Sequence, residues 1–158
     1  MYLQQSDSVA EAVASFQRNH AQRSGLLAFA VVKQTLLVGL GGLIGSIARY
    51  RLSGFVLHRS EQWRFPLSTF CVNVLGCFVL GALLGFAEKH AFLTANTRLF
   101  LFTGLLGGFT TFSAFGAEGI NLMRRGEWAT ACLYATLSVL CGFAAVWLGI
   151  KVSGFSRG

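Results

Sequence analysis

Three stretches of this chain run for about 20 residues without a charge, and they decide the solvent in which it folds. Phe65 to Ala87 is uncharged for 23 residues, Trp128 to Ile150 for 23 and Leu99 to Ala117 for 19. An α-helix needs about 20 apolar residues to cross the hydrocarbon core of a bilayer. A fourth run, Gln34 to Ala48, gives 15 residues. Val31 and Val32 extend it past Lys33, whose ammonium can snorkel to the interface. Four spans follow, at about 32–53, 66–87, 98–122 and 128–150. Unpaired backbone groups are too costly in lipid, so all four are expected to be helices of an all-α membrane protein. Pro66, the single proline, sits just inside the second span, where a missing N–H costs nothing. Charged residues make up only 12% of the 158, against about 25% in a soluble domain. Despite the net charge of +7, this excludes a disordered chain, a basic nucleic-acid-binding domain and an ordinary soluble enzyme.

Residues 1–31 differ from the membrane domain of 32–158. Met1 to Ser24 is polar and mixed in charge. Ala28-Phe29-Ala30 resembles a signal-peptidase site, but only Gly25, Leu26 and Leu27 precede it as an apolar stretch, too short for a secretory core. Val9, Val13 and Phe16 have the spacing of a short interfacial amphipathic helix, and a frayed tail is the competing expectation. Cys71, Cys77, Cys132 and Cys141 all fall inside spans without metal-ligand spacing, so they are expected to pack as small apolar residues.

Four spans place both termini on one side. Arg18, Arg23, Lys33, Lys89, Arg98, Lys151 and Arg157 belong to that side, seven in all, and Arg49, Arg51, Arg59, Arg64, Arg124 and Arg125 to the other, six in all. An excess of Lys and Arg on one side normally orients a membrane protein. The near-tie means that another feature sets the orientation, or that the chain inserts both ways and pairs as an antiparallel homodimer.

Helices in lipid associate by close packing of small residues. Gly41 and Gly45, Gly42 and Ser46, Gly81 and Gly85, and Gly104 and Gly108 each stand four apart. Packing explains these residues but not the polar ones. Asn73 lies mid-span, where an amide is costly unless hydrogen-bonded. In span three, Gly107-Gly108 followed by Thr110-Thr111 weakens helix propensity at mid-membrane depth. A break there releases backbone carbonyls, tolerated where they face protein or a cavity and suited to a hard cation. The competing structure is a continuous helix with its hydroxyls bonded back to its own carbonyls. Phe112 and Phe115 share a helix face with Ser113 beside them, and the positive edge of an aromatic ring suits a dehydrating anion. Tyr134 and Ser138, four apart in span four, add two hydroxyls. No Asp, Glu, His or Lys lies centrally in a span, which leaves proton coupling without a carrier. Arg49 and Glu118, near span ends, suit vestibule positions. Passive passage is the surviving chemistry.

At these residues the sequence resembles the CrcB/Fluc family of fluoride channels, over roughly Val32 to Gly149. The resemblance rests on Gly41-Gly42-Leu-Ile-Gly45-Ser46-Ile-Ala-Arg49-Tyr50, on Thr69-Phe-Cys-Val72-Asn73-Val-Leu-Gly76, and above all on Gly107-Gly108-Phe-Thr110-Thr111-Phe112-Ser113-Ala114-Phe115. It implies a dual-topology antiparallel homodimer with two pores in the bacterial inner membrane, and no enzymatic activity. It also implies a structural Na⁺ held by backbone carbonyls of Gly107 and Thr110. Phe112 and Phe115 match pore-lining phenylalanines of the family, Asn73 a fluoride-contacting asparagine, and Tyr134 and Ser138 pore-side hydroxyls. Thr111 and Ser113 complete the expected polar track. The family usually has Thr or Ser where this chain has Ala114, so one hydroxyl is missing past Phe112.

Two other functions remain to be set against a fluoride channel. A small dual-topology exporter of cationic drugs shares the four-span plan but needs an embedded carboxylate, which span one lacks. A non-transporting membrane assembly subunit would use the same glycine packing but gives no reason for Asn73 or the Thr/Phe segment.

Overall fold

The computed structural model describes residues 2–60, 62–89 and 93–154, with side chains from residue 22 onward except that of Lys89. Its elements are helices α1 (Tyr2–Ser60), α2 (Leu67–Lys89) and α3 (Ala95–Arg98), a π-helical segment (Leu99–Leu106), α4 (Gly107–Phe109), α5 (Phe112–Arg124) and α6 (Trp128–Val152). Four stretches are long and apolar enough to cross a membrane: Gln22–Ser60, Leu67–Glu88, Ala95–Arg124 and Trp128–Val152. The last three match the expected spans to within three residues. The first runs well beyond the expected 32–53 at both ends. Charge does not stop a helix, and Arg is a good helix former; with no proline before Pro66, α1 continues through Arg49 and Arg51 to Ser60.

Contacts divide the chain into residues 1–36 and residues 37–158. In the first unit Leu26, Leu27, Phe29, Val31 and Val32 are exposed, and Thr35 Oγ1 donates to Val31 O at 2.9 Å. The side chains of the stripe Val9, Val13 and Phe16, and of Arg18, lie outside the described residues, as does Arg157. The second unit contains the bundle. Its part of α1, residues 37–60, is roughly 36 Å long at 1.5 Å per residue, enough for a hydrocarbon core of about 30 Å.

Spans two and four run parallel and in close contact. Phe65, just ahead of α2, stacks edge-on against Tyr134 with ring centroids 5.3 Å apart. Farther along, Gly81 lies against the backbone of Val146, and Gly149 against that of Phe78 and Ala82. The α1–π segment contact is built in the same way. A Cβ on Gly45 would collide with Leu105 O and lie 2.9 Å from Phe109 N, and one on Gly104 would lie 2.9 Å from Val38 O. These helices touch main chain to main chain, as small-residue spacing allows in lipid.

Between α5 and α6 the chain reverses in three residues. Gly126 takes φ +78°; its N–H donates to Met123 O at 2.9 Å, and Glu127 N–H to Leu122 O at 3.0 Å. That is a Schellman closure, which needs a left-handed residue after the helix. It folds α5 back onto α6, where Leu122, Ala131 and Tyr134 form a buried cluster flanked by Phe65, Phe70 and Phe115. Of the cysteines, Cys71, Cys77 and Cys141 are half-buried and Cys132 is exposed, all as thiols.

Candidate functional site

The site is organised by what happens at two adjacent threonines. Thr110 (φ −84°, ψ 159°) and Thr111 (φ −149°, ψ 112°) are extended, between the end of α4 and the start of α5. β-Branched side chains lose rotamer freedom in a helix and sit readily in extended backbone. Thr110 turns both its N–H and its hydroxyl to Leu106 O, each at 2.9 Å. The Thr111 N–H, which a continuous helix would give to Gly107 O, goes instead to Asn73 Oδ1 at 2.8 Å. The Ala114 N–H, which would serve Thr110 O, is capped by Thr111 Oγ1 at 3.2 Å. Gly107 and Thr110 therefore keep carbonyl oxygens whose helical donors have been taken elsewhere. Such oxygens are the ligands a hard cation prefers.

Asn73 is the other half of this arrangement. Its Nδ2 donates to Thr111 O at 3.0 Å while its Oδ1 accepts from Thr111 N–H, so one side chain of α2 satisfies both polar groups of one extended residue. An amide nitrogen carries two N–H groups, and the second is not used by Thr111. Gly76, one turn along α2, makes room for this approach: a Cβ there would collide with Thr110 Cγ2.

An open groove of about 530 Å³ runs past the extended segment, lined among others by Asn73, Thr110, Thr111, Phe112, Phe115 and Ser138. Gly107 also borders it. The Phe112 and Phe115 rings lie 5.5 Å apart and tilted by 37°. Phe112 is 83% exposed, so its ring projects from the chain. The Ser138 hydroxyl oxygen is buried and has no hydrogen-bond partner among the described residues. Ser113 is exposed, and its Oγ lies 3.3 Å from Thr111 Oγ1. Ala114 contributes only its backbone to this cap.

The remaining expected residues are placed differently. Tyr134 is fully buried, its ring 5.0 Å from that of Phe115, and its hydroxyl donates to Glu118 Oε2 at 2.7 Å. The other carboxylate oxygen, Oε1, accepts from Thr69 Oγ1 at 2.7 Å. Glu118 is thus held by hydroxyls from α2 and α6, next to the groove's Phe115. Arg49 lies half-buried on α1, and no described hydrogen bond or ion pair joins it to this group. Sequence reasoning passed over Thr69 as a site residue, although it stands four residues before Asn73 and so shares its helix face. Gly76 carried no signal of its own, because its role is to be empty where Thr110 arrives.

A family model described as CrcB-like protein, Camphor Resistance (CrcB), matches residues 36–150. The chain belongs to the CrcB family. The CrcB match contains every residue of the site, from Arg49 to Ser138, and leaves residues 1–35 outside it. Similar proteins carry the name fluoride-specific ion channel FluC. That of Methylobacillus flagellatus is 52% identical over 119 residues, covering 75% of this chain and 93% of its own length. That of Nitratidesulfovibrio vulgaris is 44% identical over 119 residues, covering 75% and 95%. A third, from Azobacteroides pseudotrichonymphae, is 42% identical over 125 residues, covering 79% and 99%.

Proposed function

We propose that this CrcB protein is a passive, fluoride-selective channel of the bacterial inner membrane that lets F⁻ leave the cytoplasm. The observation that carries the reading is the groove, lined by two phenylalanine rings, an amide and a buried hydroxyl without a charged side chain. A match over 93% of its own length, at 52% identity, with a relative named a fluoride-specific channel supports the same ion. Fluoride crosses membranes as neutral HF in acid surroundings and dissociates inside. A negative interior then drives the anion out, at about 2.3 kcal/mol per charge per 100 mV.

Each residue supplies one part of a replacement for water. The second N–H of Asn73 and the unpartnered Ser138 hydroxyl are donors on the groove wall. The positive edges of Phe112 and Phe115 offer weak, unsaturable attraction between those donors. Thr111 and Ser113 extend the polar track. Tyr134, Thr69 and Glu118 form a hydrogen-bonded group behind Phe115 that fixes where its ring sits.

The functional unit in this proposal is an antiparallel homodimer of dual topology, with the third span broken at Thr110-Thr111. A ring 83% exposed at the head of α5 and a charge count of seven against six on the two sides support it. The carbonyls of Gly107 and Thr110 fit a structural Na⁺, which would fix the broken segments relative to one another; with two copies such carbonyls number four. The test is fluoride efflux from proteoliposomes, read by a fluoride-selective electrode with chloride as control. Phe112→Ile and Phe115→Ile are each expected to abolish efflux while the protein remains folded and dimeric. Efflux that survives both changes unaltered would remove the Phe-lined pathway.

A further inference from the structure

The end of the bundle formed by the α1–α2 connection and the α5–α6 turn carries a feature that ion passage does not use. Arg59, Arg64, Arg124 and Arg125 lie on these connections or at the helix ends that lead into them, as do Trp63 and Trp128, 65% and 61% exposed. Contacts join the two connections into one platform. Arg64 Nη1 lies 3.9 Å from Glu127 Oε1, and Phe65 packs between Phe70 and Tyr134 at 5.4 and 5.3 Å. The Arg59 guanidinium lies 4.1 Å over the Phe55 ring, held on the outer surface of α1. Arg64 reaches Glu127 only at ion-pair range, and its side chain is 80% exposed, so its planar fork remains available to a bidentate acceptor. Arg124 and Arg125 are exposed at the end of α5. Indole rings favour the depth of lipid headgroups. Guanidinium forks match phosphate oxygens.

From this platform we propose that the collar of Arg59, Arg64, Arg124 and Arg125 binds the phosphate of anionic phospholipid headgroups, with Trp63 and Trp128 seated beside it in the same leaflet. The partner is a lipid rather than a free anion because the cations share this end of the apolar helices with two exposed indoles, where a headgroup is anchored by its own acyl chains. Each basic side chain at an anionic surface favours association by at most about fivefold, and salt screening brings the share of each exposed arginine down to about twofold.

The probe is quenching of tryptophan fluorescence by brominated lipid in proteoliposomes, using Trp147→Phe so that only Trp63 and Trp128 report. Brominated phosphatidylglycerol is expected to reach half-quenching at a mole fraction about tenfold lower than brominated phosphatidylcholine. In Arg64→Gln/Arg124→Gln/Arg125→Gln the two lipids should differ by less than about twofold. Coincident curves in the unsubstituted collar, or a preference that survives the triple substitution, overturn the proposal. Loss of the preference on adding inorganic phosphate, but not chloride of equal ionic strength, also overturns it, because the site is then one for free phosphate. Fluoride efflux in phosphatidylcholine vesicles serves as the check on folding and is expected to be unchanged. If the triple variant does not reconstitute, Arg124→Gln alone should lower the preference about twofold, its share of a roughly tenfold preference spread over four arginines, and no change there refutes the collar. Absence of efflux from the unsubstituted protein would refute the channel reading and leave the lipid result standing by itself.

Discussion

Replacing Asn73 by Ala removes both hydrogen bonds that hold Thr111 in its extended conformation, at 3.0 and 2.8 Å. Interhelical side-chain hydrogen bonds in membrane proteins average about 0.6 kcal/mol, so two give a floor of about 1.2 kcal/mol. The upper bound comes from Thr111 itself. Thr111 is half-buried, and a backbone group left dry and unpaired costs about 1–3 kcal/mol. Water in the groove relieves part of that cost, which keeps the total near the lower end, about 3 kcal/mol. The chain also has an escape, since rotating Thr111 back into the helix returns its N–H to Gly107 O. A loss of about 1.2–3 kcal/mol lowers the ratio of bent to helical segment by about 7- to 150-fold. Asn73→Ala should therefore lower unfolding stability in detergent by about 1–3 kcal/mol and reduce fluoride efflux by at least about sevenfold. Asn73→Asp keeps the acceptor for Thr111 N–H, so it should recover part of the stability while placing a negative charge in the anion's path and keeping efflux low. Stability within about 0.5 kcal/mol of the parent together with full efflux in Asn73→Ala would refute this account of the bend.

Other substitutions test the packing and the half-buried Glu118 carboxylate. Gly45→Ala would drive a methyl into Leu105 O, whereas Gly39→Ala meets nothing within 4 Å. The first should cost more than about 2 kcal/mol and the second less than about 0.5, measured by unfolding in the same detergent. Tyr134→Phe removes the donor to Glu118 Oε2 and should cost about 1.5–3 kcal/mol, as expected for a bond to a charged group. Thr69→Val should cost a similar amount, and the double variant less than the sum, because both act on one carboxylate. Exchanging Na⁺ for choline at constant ionic strength should lower the melting temperature of the reconstituted protein, and an unaltered melting temperature would count against a sodium ion at Gly107 and Thr110.

The lengths of the apolar runs made three of the four spans legible to within a few residues, because a helix must satisfy its backbone wherever water is absent. Span one was harder to bound. Its uncharged run is only 15 residues and its expected end lies near residue 53, but a helix that leaves the bilayer need not stop, and α1 runs on to Ser60. Tyr134 and Ser138 looked like a pair of equivalent hydroxyls on one face. Only the approach of Glu118 from α5 separates them, sending Tyr134 into a hydrogen bond and leaving Ser138 on the groove. Contacts between side chains far apart in sequence have no signature in local spacing. Thr69 is the instructive case: its spacing from Asn73 was visible, but its partner was not.

The closest approach between α1 and span three is of main-chain atoms around Gly41, Gly45, Gly104 and Gly108, with the Ser46 hydroxyl donating to Gly108 O across it. Main chain has no rotamers to exchange, so this joint has no soft side-chain layer to absorb a displacement. A force applied to one helix passes to the other as rigid translation. Repair by compensating substitution is also closed, because there is no neighbouring side chain to shorten when a Cβ is added. The same joint that seats the extended threonines is therefore brittle in both senses, transmitting movement faithfully and tolerating almost no drift in sequence.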